Sequence, residues 1–114
     1  MISPPATIRN LQLWQKHRRK VRALAQRIID GKVGIIEGSR QILLYQTWLH
    51  AREDETFDVF RAIDSETGHL PIGKVRDHWS PDALKEKDKE IKEVEDFYRE
   101  SAIRAAIRVR EKYL

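Results

Sequence analysis

Ser80-Pro81-Asp82 opens the longest regular pattern in the chain and limits what the rest can become. A hydroxyl able to cap, a proline at the first helical position and an acid in the first turn together make a helix start. From Leu84 the apolar positions recur at Ile91, Val94, Tyr98, Ala102, Ala105 and Val109, close to heptad spacing. A helix of that length spans about 45 Å at 1.5 Å per residue, so the remaining segments must supply faces of the same period. Its first half is highly charged with a narrow stripe. From Phe97 the stripe widens through Ile103, Ala106 and Ile107, so deeper packing is expected of the C-terminal half, and a bend near Glu95 is left open. Arg104, Arg108, Arg110 and Lys112 complement the negative end of the helix dipole.

Two further helices read clearly. After Pro4 and Pro5, a period near 3.6 runs through Ile8, Leu11, Trp14, Val21, Leu24 and Ile28, and Asp30-Gly31 ends it, with Gly31 suited to the left-handed closing position. The next helix is expected over 33–51, where Ile35, Ile36, Ile42, Leu43, Tyr45, Trp48 and Leu49 give it a broad apolar surface and a central place. Gly34 and Gly38 lie one turn apart on it and each weakens a helix by about 1 kcal/mol relative to alanine. Close approach of a neighbouring helix, or of a ligand backbone or phosphate at the Gly34 end, would account for them. Asp54 can cap a shorter helix through Phe57, Phe60 and Ile63 or Asp64. A strand through Phe57, Val59 and Ile63 fits a period of two, but no second strand exists to pair with it.

The fold class that follows is all-α: an antiparallel bundle of about four helices with a long charged C-terminal helix, filling residues 1–114 as a single domain. The overhanging last helix could pair with a second copy. No run of about 18 apolar residues occurs and the N-terminus lacks a secretory pattern, so a cytoplasmic protein without a membrane partner is expected. Zero cysteines exclude disulfide and thiolate chemistry and fit a reducing compartment.

The periodicity stops over 63–79, where acids, hydroxyls, two histidines, two glycines and a proline are packed between apolar anchors. Asp64, Glu66, His69, Asp77 and His78 are of metal-ligating type, but the His-x8-His spacing fixes no geometry. Asp64, Ser65 and His69 name a nucleophile and a base without a site for an oxyanion. No catalytic, metal or cofactor residue is therefore assigned. Asp64 and Ser65 binding backbone N–H groups, with Leu70, Ile72, Val75 and Trp79 buried, is the structural alternative. The candidate interaction surface is Asp64, Glu66, His69, Arg76, His78 and Trp79, an aromatic beside charge as in interface hot spots.

Charge is unevenly spread. Residues 1–29 hold seven Lys or Arg and no acid, while the remainder holds fifteen against eighteen acids, a split of +7 against −3. Either a basic helix lies on an acidic one inside the molecule, or one end meets an anionic partner. The His17-Arg18-Arg19-Lys20-x-Arg22 cluster makes Arg18, Arg19, Lys20 and Arg22 candidate nucleic-acid contacts, although no aromatic stacking signature accompanies them in sequence.

Glu37-Gly38-x-Arg40-x-x-Leu43, together with Asp64-Ser65-Glu66-Thr67-x-His69-Leu70-Pro71-x-Gly73-x-Val75-Arg76 and Trp79-Ser80-Pro81, resembles a family of small uncharacterised bacterial proteins. The resemblance covers roughly 31–98, omits the basic first helix, and implies a bacterial cytosolic origin with no known activity. The function expected is a non-enzymatic protein-interaction or regulatory module, self-associating or bound to another protein. A basic nucleic-acid-associated protein is the alternative, and a metal-dependent enzyme built on 64–79 a third.

Overall fold

The computed structural model describes residues 2–114, among which there are helices and turns and no strand. The helices are α1 (Leu11–Ile29), α2 (Ile35–Trp48), α3 (Asp58–Thr67) and α4 (Pro81–Lys112), with 3₁₀ turns over Glu55–Phe57 and Gly73–His78. Side-chain contacts fix their directions. Trp14 at the start of α1 donates its indole N–H to the Leu49 carbonyl just past the end of α2, 3.2 Å away. Arg18 near the start of α1 reaches the Tyr113 carbonyl just past the end of α4 at 3.1 Å, and Arg110 reaches Gln26 at 2.9 Å. Glu66 at the end of α3 lies beside Tyr98, in the middle of α4. The chain therefore runs up, down, up and down, an all-α antiparallel bundle of four helices.

Each boundary has a local cause. Asn10 caps α1 by accepting the Leu13 N–H at 2.9 Å, so the helix begins three residues later than Ile8, and Pro5 instead turns the chain by accepting from Ile8. Gly31, with φ of 70°, closes α1 as expected, with the Lys32 N–H bonded to the Arg27 carbonyl. The same closure ends α2, but there the left-handed residue is His50, φ 54°, with Ala51 donating to Gln46. Ser80 accepts the Ala83 N–H at 3.2 Å and starts α4 where the Ser-Pro-Asp signal placed it.

Asp64, Ser65, Glu66 and Thr67 belong to α3, not to an open connector. Phe60, Ile63 and Thr67 share one buried face, and Thr67 is tolerated there because its hydroxyl donates to the Ile63 carbonyl at 2.6 Å. A hydroxyl that satisfies itself within the helix counts as apolar for packing, and a hydrophobicity pattern misses it.

The core joins Trp14, Val21, Leu24 and Ile28 of α1 to Ile36 and Ile42 of α2, Phe60 and Ile63 of α3, and Ala102, Ala105, Ala106 and Val109 of α4. Gly38 is the close-approach position: a Cβ there would stand 2.8 Å from the Ile28 side chain. Gly34 is not inside the helix but caps it, and the group near it is the Glu95 carboxylate, which accepts the Ile36 N–H at 3.0 Å. The anion expected at that helix start is thus supplied by the chain itself. α4 runs uninterrupted past Glu95, and all its buried residues lie from Ala102 onward. Phe97, where deeper packing was expected to begin, is 78 % exposed.

Candidate functional site

The 64–79 segment brings its residues inward, toward α2 and α4. Arg40 on α2 donates to the Thr67 and Leu70 carbonyls and sits 3.7 Å from the Asp64 carboxylate. That one guanidinium supplies donors to the end of α3, where carbonyls lack partners within their own helix.

The remainder is tied to the first half of α4. His69 meets Glu90 at 2.6 Å, and Arg76 holds Asp88 through two bonds of 2.8 and 3.0 Å while also donating to the Pro71 carbonyl. The Arg76 hydrogen bonds hold the Asp88 carboxyl below its ordinary pKa, and His69 does the same for Glu90. Glu66, by its hydrogen bond, raises the Tyr98 hydroxyl. Of the six proposed surface residues, Asp64, Glu66, His69 and Arg76 are therefore engaged within the chain. His78 is exposed and Trp79 half-buried. Leu70 is buried as expected, Ile72 is half-buried and Val75 is exposed.

The metal and catalytic readings gain no geometry. Among the described residues no three of His, Cys, Asp or Glu are grouped so as to hold a metal ion. Asp64 instead lines a cleft of about 770 Å³ between α2 and α3, with Leu43, Gln46, Thr47, His50, Arg52 and Arg61. Thr7 and His50 lie 2.8 Å apart, a hydroxyl beside an imidazole, but among the described residues no carboxylate hydrogen-bonds to the ring to orient it as a catalytic base requires. Arg61 is held by Asp58 at 2.6 Å.

The outer face of α1 is different. This helix packs against the C-terminal half of α4, whose own cations are Arg104, Arg108, Arg110 and Lys112, and not against the acidic first half. The expectation that a basic helix lies on an acidic one is thereby overturned. Among the described residues, no Lys or Arg of α1 forms an ion pair with a carboxylate, whereas nine such pairs form elsewhere. Arg18 is half-buried and serves the chain end through Tyr113. Arg19, Lys20 and Arg22 are exposed. Arg19 and Arg22 border a shallow hollow of about 280 Å³ with Gln26 and Arg110, so three arginines line it.

Sequence reading missed what adjoins this face. His17, one step from the arginines, stacks on Trp48 of α2 with ring centres 5.2 Å apart and planes 26° from parallel. Tyr45 meets both rings edge-on, at 6.2 and 5.3 Å. Trp48 is 46 % exposed, Leu44 53 % and Leu13 45 %. The Nδ1 of His17 is buried and has no hydrogen-bond partner. Burial, and then the fields of Lys20 and Lys16, lower the His17 pKa and favour the neutral ring. The stacking aromatics absent near the cluster in sequence are thus brought to it from α2. Their only signal was that α2 carries more apolar surface than one core can cover.

No helix among the described residues is long and apolar enough to cross a membrane. No family model, no curated protein and no solved structure matches this chain.

Proposed function

We propose that this protein is a non-enzymatic binding module whose partner is nucleic acid, engaged through the phosphate backbone by the outer face of α1. The observation that carries the reading is that, among the described residues, the α1 cations form no ion pair with a carboxylate, in a chain holding 18 acidic residues. Unpaired surface cations gathered on one helix face raise the local potential and exchange counterions for phosphates without reading sequence. The reading sets the protein in the bacterial cytoplasm, where nucleic acid is at hand and a chain with zero cysteines is indifferent to reducing conditions.

The test is binding to a random-sequence oligonucleotide at several salt concentrations. With about four phosphate contacts, the logarithm of affinity falls against the logarithm of salt with a slope of about −3. Arg19→Glu combined with Arg22→Glu abolishes binding. No binding at low salt refutes the reading.

A second reading, a protein partner or a second copy at the 64–79 segment and α4, draws on one observation: Phe97 stands 78 % exposed on the overhanging helix. It predicts a sedimentation coefficient above that of the monomer, lowered by Phe97→Ser.

A further inference from the structure

We infer that the nucleic acid bound is single-stranded, its bases stacking on the Trp48 ring while its phosphates follow the cations of α1. This deepens the reading of α1 as a phosphate-binding face and rests on it. Trp48 is 46 % exposed yet not free: His17 stacks along it and Tyr45 abuts it edge-on. An indole braced by two neighbours loses little side-chain entropy when a base is laid against it, so the platform is set before the ligand arrives.

The cations are placed to match. Lys16 precedes His17 on α1 and Lys20 follows it by about one helical turn, and both side chains are exposed, so the stretch of α1 that carries the platform's histidine also carries free positive charge. From there the charge continues along α1 to Arg19 and Arg22, where Arg110 joins from α4. A positive track beside a flat aromatic surface is what unpaired strands require, since the backbone is held by charge and each base by its π face. A duplex cannot use the platform, because its bases are stacked on one another inside it. The apolar rim of Leu13 and Leu44, 45 and 53 % exposed, suits the flat face of a base and gives nothing to a phosphate.

The experiment uses the whole chain with fluorescein-labelled oligodeoxythymidylate, oligouridylate of the same length, and a DNA duplex of matched length, read by anisotropy. The expected result is at least tenfold tighter binding of a strand than of the duplex. Trp48→Leu lowers strand affinity about tenfold and leaves duplex affinity unchanged. Strand binding quenches the intrinsic fluorescence of the wild-type protein, and Trp48→Phe removes most of that quenching, with circular dichroism confirming that both variants keep their helices. Preference for either kind of strand over the duplex supports the inference. Equal affinity for strand and duplex, or an unaltered Trp48→Leu variant, overturns the inference while leaving the α1 reading in place. Absence of binding to all three probes at low salt refutes both. A self-associated wild type that Trp48→Leu turns into a monomer assigns the patch to a second copy and overturns the inference as well.

Discussion

Tyr113 and Asp54 show how much of this bundle's closure is held by single residues. The Tyr113 hydroxyl donates to Asp54 at 2.7 Å, Lys112 approaches the same carboxylate at 3.0 Å, and Thr56 donates both its hydroxyl and its N–H. Burial alone pushes the Asp54 carboxyl up, but the bonds from Thr56, Tyr113 and Lys112 outweigh it and hold the pKa below the ordinary value. Burial and the neighbouring carboxylate push the Tyr113 hydroxyl well above its usual value of 10. The signs follow from linkage. Asp54 stabilises the fold fully above the unfolded carboxyl pKa of about 4, and this stability is lost as pH falls through its lower folded value. His17, lowered by burial, acts in the same direction beginning near pH 6.5. Tyr113 contributes fully below about pH 10, and its contribution is lost as pH rises above that. Urea midpoints measured across pH should therefore fall on both sides of neutrality. Tyr113→Phe should flatten the alkaline side and lower stability at pH 7 by about 1 kcal/mol. Arg40→Met should be more severe, by about 1–3 kcal/mol, because it takes the Arg40 donor from the Leu70 carbonyl and leaves Thr67 with the Leu70 N–H alone.

At the level of the helices, the two glycines of the second turn of sequence pattern separate into two roles that substitution can distinguish. Gly38→Ala gains about 1 kcal/mol of helix propensity but forces a methyl against Ile28 at 2.8 Å, and overpacking in a tight core costs about 1–3 kcal/mol. The expected balance is a loss of about 1 kcal/mol in denaturant unfolding. Glu95→Ala removes the acceptor for the Ile36 N–H and should cost a similar amount, as loss of a helix cap does. The periodic apolar residues made α1, α2 and α4 legible in the sequence, and Gly31 and Ser80 marked an end and a start. Thr67 and Asn10 shifted boundaries because their polar groups are satisfied locally, which composition does not display. The site was less legible. Arg18, Arg19, Lys20 and Arg22 stood out as a run, but whether acids neutralised them depended on which half of α4 they met, a matter of tertiary register. Trp48 read as core because its spacing fits a buried stripe, but in the bundle its ring is stacked on by His17 of α1 and is otherwise left half-exposed. The long helix carries one further expectation. Since residues before Ala102 are not buried, amides of 84–96 should exchange hydrogen faster than those of 102–112.

Across the whole molecule, the placement of charge runs against what stability alone would choose. Lys16 with Lys20, and Arg18 with Arg22, are like charges one turn apart on α1, each such pair destabilising a helix by about 0.2–0.5 kcal/mol. Arg19 and Arg22 further face Arg110 of α4 across a shared hollow. A surface shaped only for folding would interleave acids there, as α4 does with Lys92 and Asp96 at 2.6 Å or Arg104 and Glu100 at 3.2 Å. Charge surplus held against a folding cost is the pattern expected where binding needs it. The double variant Arg19→Glu with Arg22→Glu puts this to the test, since it introduces carboxylates beside Arg18 and Arg110. Thermal unfolding should show stability unchanged or raised by about 0.5 kcal/mol, while oligonucleotide binding disappears. A loss of more than about 1 kcal/mol would mean that these guanidinium groups hold the bundle together through contacts of their own, and binding lost with the fold would then say nothing for a nucleic-acid face.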